Sequence, residues 1–156
     1  MTTKQFWMKM DQVSDTKKLS LPQKEERIAE LLKTAYEEEL DILAICALQD
    51  SDHVRQLYVN KDELHPSAEG NRYMLCYTGK NRAIYDTDVP LYPENAGIYH
   101  MPVHDMLNNV FNKRAIGGLV FNRYLGDQSI IVRKSVLERL MPGEKPLPPN
   151  FKDAPE

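Results

Sequence analysis

The stretch from Ile116 to Val132, IGGLVFNRYLGDQSIIV, constrains the fold more than any other part of the chain. Two adjacent glycines open one apolar run, and a Gly-Asp pair separates it from a second run. The glycines lead into a strand-like run and not into a helix N-terminus, where backbone amides would surround an anion, so they do not form a phosphate loop. The pattern predicts two strands, with close backbone packing or a bulge at the glycines and a type II′ hairpin turn at Gly126 and Asp127.

Before this stretch, the hydrophobic period changes from that of a helix to that of strands. Ser20 and Gln23 form a capping box, and apolar residues then recur at the spacing of one helical face. From Asp41 onward, four apolar runs predict strands, the first of them buried on both faces: ILAICAL, VRQLYV, RYMLCYT and IYHMPV. A helix over HDMLNNVFNKR follows, and Ser135 with Glu138 predicts a second capping box before the closing helix.

These elements define one domain of the α/β (α+β) class. A chain of 156 residues is the size of one domain with one core. We expect residues 1–19 to form a polar N-terminal segment and residues 20–141 to form the folded domain. The proline-rich residues 142–156 are expected to form an extended tail. We expect a mixed sheet of five or six strands flanked by helices.

Composition and charge exclude several classes of protein. With a net charge of -3 and scattered Lys and Arg, the chain has neither a disordered composition nor a nucleic-acid-binding patch. No run approaches ~18 apolar residues, and no signal-peptide core is present, so we predict a soluble cytoplasmic protein without membrane association. Cys46 and Cys76 lie in apolar runs, which predicts buried, reduced thiols.

The sequence motifs give no catalytic residue, metal site or cofactor. His100 and His104 have the spacing of metal ligands on a helix, but Pro102 between them opposes a continuous helix. Lys80 follows a glycine as in a phosphate loop, yet the earlier glycine and the following Ser or Thr are missing. No nucleophile elbow is present. His65 lies in a polar loop, and we expect it to be only solvated. Because no catalytic motif is found, the sequence favours a protein that is not an enzyme.

The segment from Gly79 to Gly97, GKNRAIYDTDVPLYPENAG, shows no sustained helical or strand period. A connection of this length is usually a functional loop or contains a short helix. Two arrangements stay open for Tyr85, Leu91 and Tyr92: an exposed aromatic contact surface, or side chains folded over the edge of the core, which the usual burial of aromatic residues favours.

The order of the elements from residue 41 to 141 resembles the N-terminal domain of the SseB family, the "enhanced serine sensitivity" proteins of bacteria. The matching pieces are MLCYTGKNR, MPVHDMLNNV, GGLVFNRY and SIIVRKSVLERL. Arg123 stands where the family commonly has proline, and the segment after YTGK lacks the clear helix that the family leads us to expect. The resemblance implies an α/β domain with a mixed sheet and supplies no catalytic residues.

Two hypotheses about function follow. The first is a non-catalytic binding or regulatory module that contacts a protein partner through a sheet edge or through residues 79–97. An uncovered edge strand would also allow a homodimer. A flat apolar and aromatic patch around Tyr85 and Tyr92 would favour this hypothesis.

The second hypothesis is a small-molecule-binding protein or an enzyme with a site near residues 79–104. The polar groups at the margin of that site would be Lys80, Arg82, His100 and His104. A deep pocket joining these four side chains would favour this hypothesis, because small-molecule sites are concave and bring a few polar groups together.

Overall fold

Two helices come first in the chain, and strands interspersed with shorter helices follow. The structure, a computed structural model, describes residues 1–48, 54–65, 68, 70–87 and 95–141. Two 3₁₀ helices, Lys61–Glu63 and Arg123–Gln128, lie between the main elements. The helices are α1 (Thr3–Asp15), α2 (Leu21–Glu37), α3 (Lys80–Thr87), α4 (Val103–Asn112) and α5 (Lys134–Leu140). The strands are β1 (Asp41–Leu48), β2 (Val54–Gln56), β3 (Tyr58–Asn60), β4 (Arg72–Tyr77), β5 (Ala96–Pro102), β6 (Ile116–Phe121) and β7 (Ile130–Arg133).

The described strands form one mixed sheet in which β5, β1, β4, β6 and β7 lie side by side. The β4–β6 pair is parallel and the other pairs are antiparallel. β2 and β3 fill the gap where β1 and β4 diverge. Leu57, between them, donates its N–H to the Ile45 carbonyl (3.1 Å) and accepts from the Leu75 N–H (3.2 Å). Counted as one strand, β2 and β3 make the sheet six strands wide, and the α/β prediction is confirmed.

Both faces of the sheet are covered. On β1, Ile42 and Ala44 point to one face and Leu43 and Ile45 to the other, and all four are at most 1% exposed. The predicted double burial of this strand is therefore confirmed. The strand register places Gln56 and Tyr77 on opposite faces of the sheet. Gln56 hydrogen-bonds to α4 on one face, and Tyr77 hydrogen-bonds to α3 on the other. None of the described helices is both long enough and apolar enough to cross a lipid bilayer.

Residues 3–15 form the helix α1, which corrects the prediction that residues 1–19 are a polar segment outside the domain. Thr2 and Gln5 make a capping box at its start. Phe6 and Met10 are fully buried in the main core, and Trp7 is 8% exposed. Because so few apolar residues make this contact, the helix reads as polar in the sequence although it packs on the core.

The two predicted capping boxes have different outcomes. Ser20 and Gln23 cap α2 reciprocally, as predicted. The box at Ser135 is wrong, because α5 begins at Lys134 and its N-cap residue is Arg133, without a side-chain cap. Strand β7 passes directly into α5 at Arg133, so Ser135 already lies inside the first turn.

The two glycines of β6, Gly117 and Gly118, allow close backbone packing, as predicted. The β4–β6 register shifts by one residue so that Gly117 is left over, which is a bulge. Gly118 has a φ of 151°, and a Cβ there would lie 2.1 Å from the Val132 carbonyl oxygen. The predicted turn at Gly126 and Asp127 is confirmed only in part. Gly126 has a φ of 60° and a ψ of -119°, the backbone angles of the first central residue of a type II′ turn. The connection is longer than a two-residue hairpin, however, because residues 122–129 separate β6 from β7 and are entered through the left-handed Asn122 (φ 57°), with 3₁₀ structure over residues 123–128 on both sides of Gly126.

Helix α3 is the short helix that the sequence left open, as an alternative to a functional loop, for residues 79–97. Its buried side carries Ala83 and Asp86, each 1% exposed. A carboxylate at a core position hides the helical period, because the pattern of apolar residues is interrupted there. Leu91 and Tyr92 lie outside the described residues.

Candidate functional site

Helix α1 crosses one end of the sheet and contacts several of its strands. At the start of β1, Trp7 Nε1 donates to the Asp41 carbonyl (3.0 Å). Farther along α1, Asp11 bonds to Thr78 after β4, and Ser14 bonds to Asn122 after β6. Ligands of α/β proteins commonly bind beyond the carboxyl ends of parallel strands. In this chain, α1 covers that position over β4 and β6.

The contacts under α1 form a buried polar network. Asn122 Oδ1 accepts from the Thr78 N–H (3.2 Å), and Nδ2 donates to Thr78 Oγ1 (2.9 Å) and Ser14 Oγ (3.2 Å). The Thr78 hydroxyl donates to Asp11 Oδ1. A Cβ on Gly79 would meet Asp11 Oδ2 at 2.2 Å, so this glycine leaves room for the Asp11 carboxylate beside Thr78. The polar groups of this network hydrogen-bond to one another, so the network connects α1 to the ends of β4 and β6. We call this network the joint.

Beside this joint, α3 presents basic and aromatic side chains. Arg82 Nη1 donates to the Tyr124 hydroxyl (3.1 Å), and Nη2 bonds to Asp15. The rings of Tyr85 and Tyr124 lie 5.0 Å apart at 42°. Tyr85 is 63% exposed and Ile84 55%. We call this set the α3 surface, consisting of Lys80, Arg82, Ile84, Tyr85 and Tyr124.

The two predicted histidines lie apart from the α3 surface. His100, on β5, packs edge-on against Trp7 with ring centroids 5.1 Å apart. His104, in the first turn of α4, stacks on Tyr36 at 5.1 Å, and its Nδ1 is 3.8 Å from Asp105 Oδ1. Pro102 ends the strand between them, so they do not share a helix. Among the described residues, no group of three His, Cys, Asp or Glu side chains is placed to hold a metal ion.

Surface clefts occur at several places in the described part of the chain. One of about 430 Å³ lies beside the second 3₁₀ helix and includes the buried Asp86. Another of about 640 Å³ lies between α1 and α2, and a third of about 300 Å³ lies near Gly70. None of these three is lined by any of the four side chains proposed for a small-molecule site: Lys80, Arg82, His100 and His104.

His65 lies at the 430 Å³ cleft and has a protein contact. Its Nε2 is 3.2 Å from the Ser129 carbonyl oxygen, and the side chain is half-buried. The prediction that it is only solvated is therefore wrong. The contact joins the loop after the first 3₁₀ helix to the residue before β7, a long-range pairing that the local sequence does not encode.

Both thiols are buried, as predicted. Burial raises the pKa of Cys46 from 9.0 to about 12. Burial, with a smaller contribution from the nearby Cys46, also raises the pKa of Cys76. Since the thiolate is the reactive form, neither cysteine is suited to nucleophilic chemistry near neutral pH.

A buried cluster of side-chain amides lies between β2 and α4, and it is not among the sites predicted from the sequence. Asn109 Nδ2 donates to Gln56 Oε1 (3.0 Å). Gln56 Nε2, Asn108 Oδ1 and Asn109 Oδ1 are buried and have no hydrogen-bond partner in the described part of the chain. Two consecutive asparagines on the buried side of an amphipathic helix are the one sequence signal, and that signal does not show which partners they have.

Comparison with known proteins gave no match among family models, curated proteins or solved structures. The geometry above therefore carries the functional argument, and the resemblance to the SseB family stays a prediction.

Proposed function

We propose that the chain is a non-catalytic protein-binding module that contacts its partner through the α3 surface. The observation that carries this proposal is the exposure of two consecutive large apolar residues, Ile84 at 55% and Tyr85 at 63%. Exposed apolar side chains that lie together, next to polar groups, are typical of interaction sites. The third strongly exposed large apolar residue among those described, Met8, lies on α1.

The residue types of the α3 surface, and the contacts that hold its side chains in place, support the proposal. Tyrosine and arginine are enriched among the residues that dominate binding energy. Arg82 is held by Asp15 and Tyr124, and Tyr124 in turn packs against Tyr85. These contacts fix the side chains before a partner arrives, which lowers the entropy lost on binding.

We further propose that the chain belongs with the N-terminal domain of the SseB family and acts in the bacterial cytoplasm. The segment after YTGK forms α3, the element that the resemblance leads us to expect there. The unpaired, buried thiols Cys46 and Cys76 agree with a reducing compartment. Arg123, at the position of the family's proline, bonds to Glu63 on the neighbouring 3₁₀ helix (3.0 Å) and begins the second one.

The test is affinity capture from the native host followed by a binding measurement on each purified candidate. The double variant Ile84→Ala with Tyr85→Ala removes the exposed apolar groups. We expect at least about a tenfold loss of affinity for a true partner, since truncating a central hot-spot residue commonly has this effect. Met8→Ala is the matched control, because Met8 is similarly exposed on another helix. Unchanged affinity of the double variant would overturn the proposal.

A small-molecule site is the second candidate, and the 430 Å³ cleft is the observation that favours it. Its volume is within the usual range for ligand pockets, and Asp86, which accepts a hydrogen bond from the Tyr77 hydroxyl, lies at its wall. A thermal-shift screen against metabolites and divalent metals tests this candidate. A compound that binds the folded state selectively must raise the melting temperature. Clear stabilisation by one compound, lost on Arg123→Ala, would replace the pure protein-binding module with a ligand-binding protein.

A further inference from the structure

The two edges of the sheet differ in how they are protected. At β7, the Arg133 backbone N–H donates to Glu25 Oε2 (2.9 Å), and its guanidinium bonds to both oxygens of Glu25 (2.9 Å each). Helix α2 therefore binds this edge. At the other edge, β5 pairs with β1, and none of the described residues pairs with its outer side.

The β5 edge is regular and long enough to accept another strand. Seven consecutive residues, Ala96–Pro102, pair with β1 without a register shift. The side chains of Ile98, Tyr99 and Met101 pack against the core, which holds the strand in place. A straight edge of this length presents alternate N–H and carbonyl groups to a further strand.

Protective features that block edge pairing are sparse in β5. Its sequence, AGIYHMP, has no Lys, Arg, Asp or Glu, and its proline is the last residue. Natural edges are usually guarded by charges, bulges or interior prolines. An edge without charge also does not repel a copy of itself, because like charges would otherwise face one another across the new pair.

We propose that β5 pairs antiparallel with β5 of a second copy of this chain, so that one sheet runs through a twofold-symmetric dimer. A second copy offers an edge of the same length and the same neutral character, and twofold pairing uses one patch on both chains. The symmetry axis passes near Tyr99, the middle residue of β5. The dimer uses no residue of the α3 surface and is independent of the proposed function.

Disulfide trapping with single cysteine variants tests the pairing. Tyr99→Cys places two thiols opposite each other at the axis, at a separation that suits a disulfide, and we expect rapid dimer formation on mild oxidation. Ile98→Cys and His100→Cys report a shift of the axis by one residue. Met8→Cys on α1 is the exposed control. The native Cys46 and Cys76 are buried and do not contribute.

Sedimentation of the unmodified chain gives the second readout. We expect a dimer whose dissociation constant increases by ~fivefold or more in His100→Lys, since two diagonal lysines then lie near the axis. His100→Gln keeps the residue neutral and controls for loss of the Trp7 contact. Circular dichroism checks that each variant is folded. A monomer at all concentrations, or a dimer that neither responds to His100→Lys nor crosslinks through β5, would overturn the proposal.

Discussion

The side-chain amide of Asn122 binds Thr78 twice, accepting from its backbone N–H (3.2 Å) and donating to its hydroxyl oxygen (2.9 Å). These two residues follow the parallel strands β6 and β4, and the backbone N–H of Asn122 also donates to the Cys76 carbonyl (3.0 Å). The pair thus joins the carboxyl ends of the two strands. Its second role is to hold α1, through Ser14 and Asp11.

Asn122→Ala should lower the free energy of unfolding by about 2–4 kcal/mol. The substitution leaves buried polar groups of Thr78 without their partner. It also places alanine in the left-handed region, which asparagine tolerates better because its side chain can hydrogen-bond locally. Asn122 has a φ of 57° and is fully buried. Asn122→Gly loses the same hydrogen bonds without the backbone strain, so it should cost about 1 kcal/mol less. Urea denaturation of both variants measures the difference. Equal losses would show that the strain contributes nothing.

The elements that the sequence predicts correctly are those with a local physical cause. The apolar run of β1 indicates a strand buried on both faces, and Ser20 with Gln23 indicates the start of α2. Each of these signals lies within a few residues of the chain. The same holds for the glycines of β6, whose missing side chains allow close packing. Periodicity and capping chemistry are encoded locally and can therefore be read without the fold.

The candidate site depends on contacts between distant residues, and the sequence does not reveal these. Arg82 and Tyr85 are predicted binding residues, but their partner Tyr124 is about forty positions away in the chain and carries no local signal. The position of helix α3 is not predicted because Asp86 occupies a core position where the helical pattern requires an apolar residue. Tertiary packing overrides the local pattern in such cases.

The amide pair of Gln56 and Asn109 should behave non-additively on substitution. Asn109→Leu alone leaves the Gln56 amide with no partner and should cost about 1–3 kcal/mol. Gln56→Met together with Asn109→Leu removes both buried amides, so the double variant should lie within about 1 kcal/mol of the parent or above it. A double-mutant cycle by urea denaturation checks this. A double variant that loses the sum of the single losses would show that the amides are satisfied by bound water or a ligand.

The buried thiols should make the chain less stable as the solution becomes alkaline. The pKa of Cys46 is raised from 9.0 to about 12 by burial, so between these values the unfolded chain releases a proton that the folded chain retains. Ionisation then favours the unfolded state, and stability present below pH 9 is lost as the pH rises toward 12. In this pH range, one such thiol lowers the free energy of unfolding by up to about 1.4 kcal/mol per pH unit. Urea denaturation at several pH values should show a shallower decline for Cys46→Ala. An identical slope in parent and variant would contradict this assignment.

Phe6 and Met8 provide a direct test of whether α1 is part of the domain. Phe6 is fully buried, whereas Met8, two residues away on the same helix, is 60% exposed. Phe6→Ala should therefore lower the free energy of unfolding by about 3–5 kcal/mol. Met8→Ala should change it by about 0.5 kcal/mol or less. Urea denaturation followed by fluorescence of Trp7, the single tryptophan of the chain, reports on α1 itself. Two neutral variants would restore the interpretation of residues 1–19 as a polar segment outside the domain. A large loss confined to Phe6→Ala would show that the helix across the strand ends is required for the stability of the fold.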